Sequence, residues 1–225
     1  YDGSSNSSKY SWMWKRAPSY FDVCCYSGTG SARTVPHNLG LHGAVPEMMW
    51  VKNRTTGNEN WAVYHKDLGA QQRLQLNNTE ATGSTSTHWN NTAPTNAVFT
   101  VGTHNSVNQN TDNYIAYLFA TVPNVSCVGS YSGDSSDGKV IDCGFSNGAK
   151  FVMIKCTTTT GDWFVFDTKR GIVAGNDAKL ALNNTDAEVS SYDYIDPHSS
   201  GFAVNTIGSA VNGSGKTFIF YAIAA

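Results

Sequence analysis

Six histidines, His37, His42, His65, His88, His104 and His198, are the side chains of this sequence best suited to move protons near neutral pH. They are scattered along the chain, and no nucleophile motif accompanies them. There is no Gly-x-Ser-x-Gly elbow, no cysteine with a matching histidine signature and no His-Glu-x-x-His helix. Paired carboxylates could hydrolyse glycosidic bonds if two stood about 5 to 9.5 Å apart. Acids such as Asp134, Asp137, Asp162 and Asp177 lie instead in turn-like contexts, where Asp accepts backbone hydrogen bonds. Asp134-Ser-Ser-Asp137-Gly138 has the flavour of a calcium loop without its ligand count. Cys24, Cys25, Cys127, Cys143 and Cys156 form neither a Cys-x-x-Cys pair nor an even set, so buried free thiols are expected rather than bridges or zinc. No catalytic group, metal or cofactor is expected.

Aromatic rings set among amides and hydroxyls are the stronger lead, because sugar rings stack on aromatic faces while amides and carboxylates bind their hydroxyls. The long stretch Glu80 to Asn96 holds His88, Trp89, Asn90 and Asn91. Its counterpart from Glu188 to Gly201 holds Tyr192, Asp193, Tyr194 and His198. These eight residues are the candidate binding set, for a glycan or a protein partner. The competing assignment makes Trp89 a plug for the end of a sandwich, without a ligand.

What would position such loops is a duplication. Val23-Cys-Cys-Tyr-Ser-Gly28 matches Val128-Gly-Ser-Tyr-Ser-Gly133, and Met48-Met-Trp-Val-Lys52 falls on Phe151-Val-Met-Ile-Lys155. Trp61-Ala-Val-Tyr64 falls on Trp163-Phe-Val-Phe166, and Leu74-Gln-Leu-Asn-Asn78 on Leu180-Ala-Leu-Asn-Asn184, with offsets drifting only between 102 and 106 residues. Two modules follow, residues 20–122 and 123–225. Residues 1–19 form a lead-in: Trp12-Met-Trp14 lies on Tyr117-Leu-Phe119 in the same register, as the last strand of a preceding module would.

Within a module the apolar period is two, as in Met49 and Val51 or Trp61 and Val63, and each short run closes on Gly, Asn, Pro or Asp. Seven or eight strands per module are expected, with Asp67 to Gln75 the one helix candidate. The fold class is all-β, two tandem homologous β-sandwich modules of jelly-roll type with little helix. Trp61 and Trp163, kept in both copies, are expected in the cores. Asn77-Asn78 and Asn183-Asn184 are expected in turns through the amide's tolerance of positive φ.

Only 14% of the 225 residues are charged, against about 25% in an ordinary domain, and the net charge is -2. Such a chain has no broad field for steering phosphates, so nucleic acid is not an expected partner. Its apolar runs stop far short of the roughly 20 residues of a membrane-spanning helix, so membrane insertion is not expected either.

The strings Tyr26-Ser-Gly-Thr-Gly30, Val35-Pro-His-Asn-Leu-Gly40, Pro46-Glu-Met-Met-Trp-Val-Lys52, Trp61-Ala-Val-Tyr-His65, Phe99-Thr-Val-Gly102 and Tyr114-Ile-Ala-Tyr-Leu-Phe-Ala120 resemble an uncharacterised repeat domain. That domain occurs in tail-fibre-like and other structural proteins of tailed bacteriophages, many of them marine, often beside SPRY or lectin-like modules. The resemblance implies a virion or extracellular setting and an adhesive or architectural role, and no functional residue is carried over from it. The expected function is a non-enzymatic host-receptor module binding cell-surface glycan. The alternative is a capsid or tail decoration protein whose partners are other virion subunits. A homo-oligomer is expected in either setting, a trimer at the level of the family.

Overall fold

A computed structural model describes residues 11–205 and 210–225. The first half of the chain supplies β1 (Phe21–Ser27), β2 (Arg33–Pro36), β3 (Met48–Asn53), β4 (Ala62–His65), β5 (Gln72–Gln75), β6 (Gly83–Ser84), β7 (Val98–Val101) and β8 (Asn113–Phe119). The second supplies β9 (Ser126–Ser132), β10 (Lys139–Asp142), β11 (Ala149–Cys156), β12 (Trp163–Asp167), β13 (Asp177–Ala181), β14 (Val189–Tyr192), β15 (Ile195–His198), β16 (Gly201–Val204) and β17 (Thr217–Ala224). Helix among the described residues is one turn, α1 (Asn105–Asn108), and a 3-10 turn at Leu41–Gly43. The expected helix from Asp67 to Gln75 is instead a turn running into β5. Gly69 takes φ of 78°, which stops a helix, and Ala62 and Val63 of β4 pair with Gln75 and Leu74.

The fold is all-β and divides into two sandwich-like halves. Each half has a six-stranded antiparallel sheet, ordered β1-β8-β3-β4-β5-β6 in the first and β9-β17-β11-β12-β13-β14 in the second. A small sheet covers the outer face of each, β2-β7 in the first half and β10-β16-β15 in the second. The sequence repeat is thus a repeat of ladders, with matching register in the central strands. Met48 faces Phe119 as Phe151 faces Ile223, and Trp50 faces Val63 as Met153 faces Val165.

Alternation along these strands separates two cores rather than a core from solvent. On β3, Met49 and Val51 point outward to meet Leu39, Trp89 and Phe99, while Met48 and Trp50 point inward to meet Phe151, Met153, Trp163 and Tyr221 of the second half. A sheet apolar on both faces cannot leave either one in water. The halves are therefore not separate beads on a string: their large sheets pack face to face over a shared central core, giving four layers. Aromatic rings dominate this seam, with Trp50 and Phe119 centroids 4.6 Å apart and Phe119 and Tyr221 5.0 Å apart.

The described part of the lead-in takes a different form from the expected strand. Residues 11–16 join no ladder, and residues 1–10 lie outside the described residues. Trp12 and Trp14 instead wedge into the central core, Trp14 standing 6.2 Å from Trp50 and 5.8 Å from Phe151, one on each sheet. Polar bonds also cross the seam. The Trp163 indole N–H donates to Gln75 O at 2.9 Å, and the Thr82 N–H to Thr157 O at 2.9 Å.

Because the shared core belongs to both halves, the chain should unfold as one cooperative unit. Calorimetry is expected to show a single transition, and Phe119→Ala should lower the stability of the whole by about 3 to 5 kcal/mol. Two separate transitions, with only the first shifted by the substitution, would contradict this packing.

Candidate functional site

The two loops singled out from sequence are not brought together. Trp89 lies in the outer core of the first half and Tyr194 in the outer core of the second, with both large sheets between them. Neither ring is available to stack on a ligand. Trp89 is fully buried, edge-on to Tyr64 at 5.8 Å, and its indole N–H donates to Gln72 O at 3.0 Å. Tyr194 is buried against Phe164 and Phe166. These rings plug the loops onto the sandwich, because a large apolar face set among alternating strands is most stable out of water.

His88 is buried beside Trp89 and stacks on His104 at 4.0 Å. Its two nitrogens are taken by Thr85 Oγ1 at 2.8 Å and Ser106 Oγ at 3.2 Å. Asn90 and Asn91 are exposed at the tip, with φ of 49° and 51°, a conformation that Asn tolerates. In the second loop Tyr192 is exposed, and Asp193 accepts from the Asn205 amide at 2.6 Å. His198 Nδ1 accepts the Ser200 N–H at 3.3 Å. The loops thus show solvent small polar tips and one tyrosine.

The concentration of accessible aromatic surface is elsewhere, at one end of the seam. A cleft of about 530 Å³ opens between the large sheets, walled by Trp12, Trp14, Trp50, Trp61, Tyr117 and Leu182. Trp61, just before β4, lies near-parallel to Tyr117 of β8 at 6.1 Å, and Tyr117 near-parallel to Phe21 of β1 at 6.3 Å. Asn77 is the polar member of the wall. Its Oδ1 accepts the Trp61 N–H at 2.9 Å and its amide donates to Asn60 Oδ1 at 2.8 Å, so the ring is held by a fixed turn. Lys52 closes the turn by donating to Glu59 O at 2.7 Å.

The repeat supplies an internal control for this cleft. In the second half Asn183 holds the Trp163 N–H at 2.8 Å and donates to Asp162 at 2.7 Å, the same turn chemistry. These asparagines work as side-chain acceptors; neither pair takes the positive φ that the sequence suggested. There the seam is shut. Trp163 is fully buried on Gln75 O, and Lys155 donates across the seam to Thr79 O at 3.1 Å and locally to Gly161 O. Gly161 N–H also meets Thr79 O at 2.9 Å. Burial pushes the Lys155 ammonium down to about 8.

At the other end the equivalent loop, residues 183–186, makes none of these cross-seam bonds among the described residues. Trp61 is only half buried, and the Trp12–Trp14 wedge enters where the contact would form. Trp61 and Trp163 were alike in sequence as core residues; the structure makes one a core residue and the other a wall. Cysteine shows a similar split, with Cys143 and Cys156 buried and Cys25 exposed, all five being free thiols.

The chain belongs to the DUF7483 family. That family, described as a domain of unknown function, matches residues 3–225, so both halves, the wedge and the cleft all fall within the matched length. No curated protein and no solved structure matches the chain. No helix among the described residues is long and apolar enough to cross a membrane, and no cluster of three His, Cys, Asp or Glu is placed to hold a metal among them.

Burial also fixes how the fold responds to acid. It pushes His88 down to about 3, with His104 adding to the effect, and His65, buried at the seam, down to about 4. Both stay neutral when folded, whereas the unfolded chain protonates near the ordinary value of about 6.5. Their contribution to stability is complete above about pH 6.5 and is lost progressively as the pH falls from there toward the folded values. Denaturant unfolding at a series of pH values between 7 and 5 should show stability falling by up to about 1.4 kcal/mol per pH unit for each of these histidines. The His88→Gln variant should lose one such contribution from the slope; an unchanged slope would refute the assignment.

Proposed function

We propose that this chain is a non-enzymatic attachment module that binds host cell-surface glycan, and that its aromatic seam cleft is the binding site. The observation that carries the reading is the Trp61–Tyr117 pair, partly open to solvent, backed by the buried Phe21 ring and flanked by the Asn77–Asn60 amides. The apolar faces of pyranose rings pack on such surfaces, and neighbouring amides can bond their hydroxyls. The low-charge surface fits a hydroxyl-rich ligand.

The virion or extracellular setting rests on the resemblance of the repeated motifs to phage tail-fibre-like proteins. In that setting the module sits in a homo-oligomer, a trimer in the family-level reading, where several weak sites act together.

The architectural reading, a capsid or tail decoration protein bound to other virion subunits, is favoured by a different observation. Each large sheet ends in a seven-residue strand, β1 or β9, and a strand edge is a place where another chain can pair.

A glycan array followed by titration separates the two. Trp61→Ala should weaken glycan binding by about tenfold or more while leaving the circular dichroism spectrum intact, in keeping with about 1.4 kcal/mol for a lost stacking partner. Trp163→Ala, its counterpart at the shut end, should destabilise the whole fold. Binding that Trp61→Ala leaves untouched, or no binding to any glycan, would favour the architectural reading.

A further inference from the structure

The aromatic cleft does not end at its own wall. A second cavity of about 600 Å³ lies against the turn after β13 and shares Trp12 and Leu182 with the first. Its lining has a different chemistry: Asn184, Thr185, Asp186 and Glu188. In the first half the equivalent turn bonds both its own half and the other. The Asn78 amide bonds Gln75, Thr79 O takes Lys155 and Gly161, and Glu80 pairs with Arg73 at 3.5 Å. In the second half Asn184 Oδ1 accepts the Asp186 N–H at 3.1 Å, but the Asn184 amide N–H groups and the Thr185 hydroxyl have no partner among the described residues. Amide and hydroxyl donors and the Asp186 carboxylate thus continue the line of the aromatic array, with Glu188 held by Arg170, and this turn makes none of the cross-seam bonds that its counterpart makes through Thr79 O.

Trp12 stands between the two cavities as a fixed post. Its indole N–H donates to Asp167 Oδ2 at 3.1 Å, and the Arg170 guanidinium lies 5.5 Å from its ring centroid. Arg170 in turn holds Asp167 at 2.7 Å and reaches Glu188 at 3.4 Å. No cationic side chain lines either cavity, and Asp186 and Glu188 line the second. An anionic chain would meet these carboxylates there, while the neighbouring Arg170 is buried and already engaged by Asp167 and Glu188.

We infer that the two cavities are subsites of one groove for an extended, uncharged oligosaccharide, one end stacked on Trp61 and Tyr117 and the chain running past Trp12 onto Asn184, Thr185 and Asp186. This rests on the glycan-binding reading above and adds the ligand's charge, its length and its path. A terminal monosaccharide would use only the aromatic half. A neutral chain uses both halves, stacking in one and donating hydroxyl hydrogen bonds to the acceptors in the other.

The test titrates the full chain with members of an array of neutral and anionic glycans graded from one to six sugar rings. Affinity for the neutral series that binds should rise by about tenfold or more between one ring and four, as expected for roughly 1.4 kcal/mol of added contacts. An Asn184→Ala, Thr185→Val double variant should lose that length-dependent gain while keeping wild-type affinity for the single ring. Trp61→Ala should weaken every member. Circular dichroism on both variants checks the fold.

Binding that does not grow with chain length, a double variant indistinguishable from wild type, or a preference for anionic chains would each overturn the extended neutral groove and leave the functional reading standing. Failure of every glycan to bind would overturn the functional reading itself, and the groove with it.

Discussion

Everything distinctive in this protein follows from the contact between its two six-stranded sheets. Each sheet carries apolar residues on both faces, and the small outer sheets cover only one face of each. The inner faces therefore meet each other, and Phe21, Trp50, Phe119, Phe151, Trp163 and Tyr221 become a single core. At about 25 cal/mol for each Å² of apolar surface removed from water, aromatic side chains of this size make the contact a major part of the fold's stability. The seam also sets the relation of the halves, so a surface between them is built from both.

A duplicated chain that packs on itself need not pack symmetrically. The large sheets recur with the same strand order, and Asn77 and Asn183 hold Trp61 and Trp163 by the same turn. At one end Trp163, Lys155 and Gly161 spend their donors on carbonyls of the first half. At the other the lead-in inserts Trp12 and Trp14, and Lys52 turns back to Glu59 O of its own half. Divergence between the copies has thus acted on polar closure of the seam rather than on the strands. One copy of a structural pair becomes a wall of a cleft without altering the sheet that carries it.

The same logic accounts for the loops. A loop that projects from a sandwich must be tied down, and Trp89 and Tyr194 do this by burying their rings in the outer cores. His88 serves the same end through Thr85, Ser106 and His104, in a neutral network that stays neutral because the site is dry. Anchorage thus explains Trp89 and Tyr194, and Tyr192 is the loop aromatic that stays exposed. The partly exposed rings at the seam pack on the central core with one face and leave part of their surface open.

Strand content, the two-residue period, the duplication and the turn role of the asparagine pairs were all legible in the sequence, because they depend on local backbone preference and on spacing along the chain. The all-β class follows from them. The path of the lead-in, the absence of a helix at Gly69 and the different environments of Trp61 and Trp163 were not legible. Alternation tells which residues share a face of a strand, but not whether water, a small sheet or another large sheet covers that face. Trp61 and Trp163 occupy matching places in the repeat, as do Lys52 and Lys155, and only the tertiary structure, through long-range contact across the seam, decides which pair closes and which is left open.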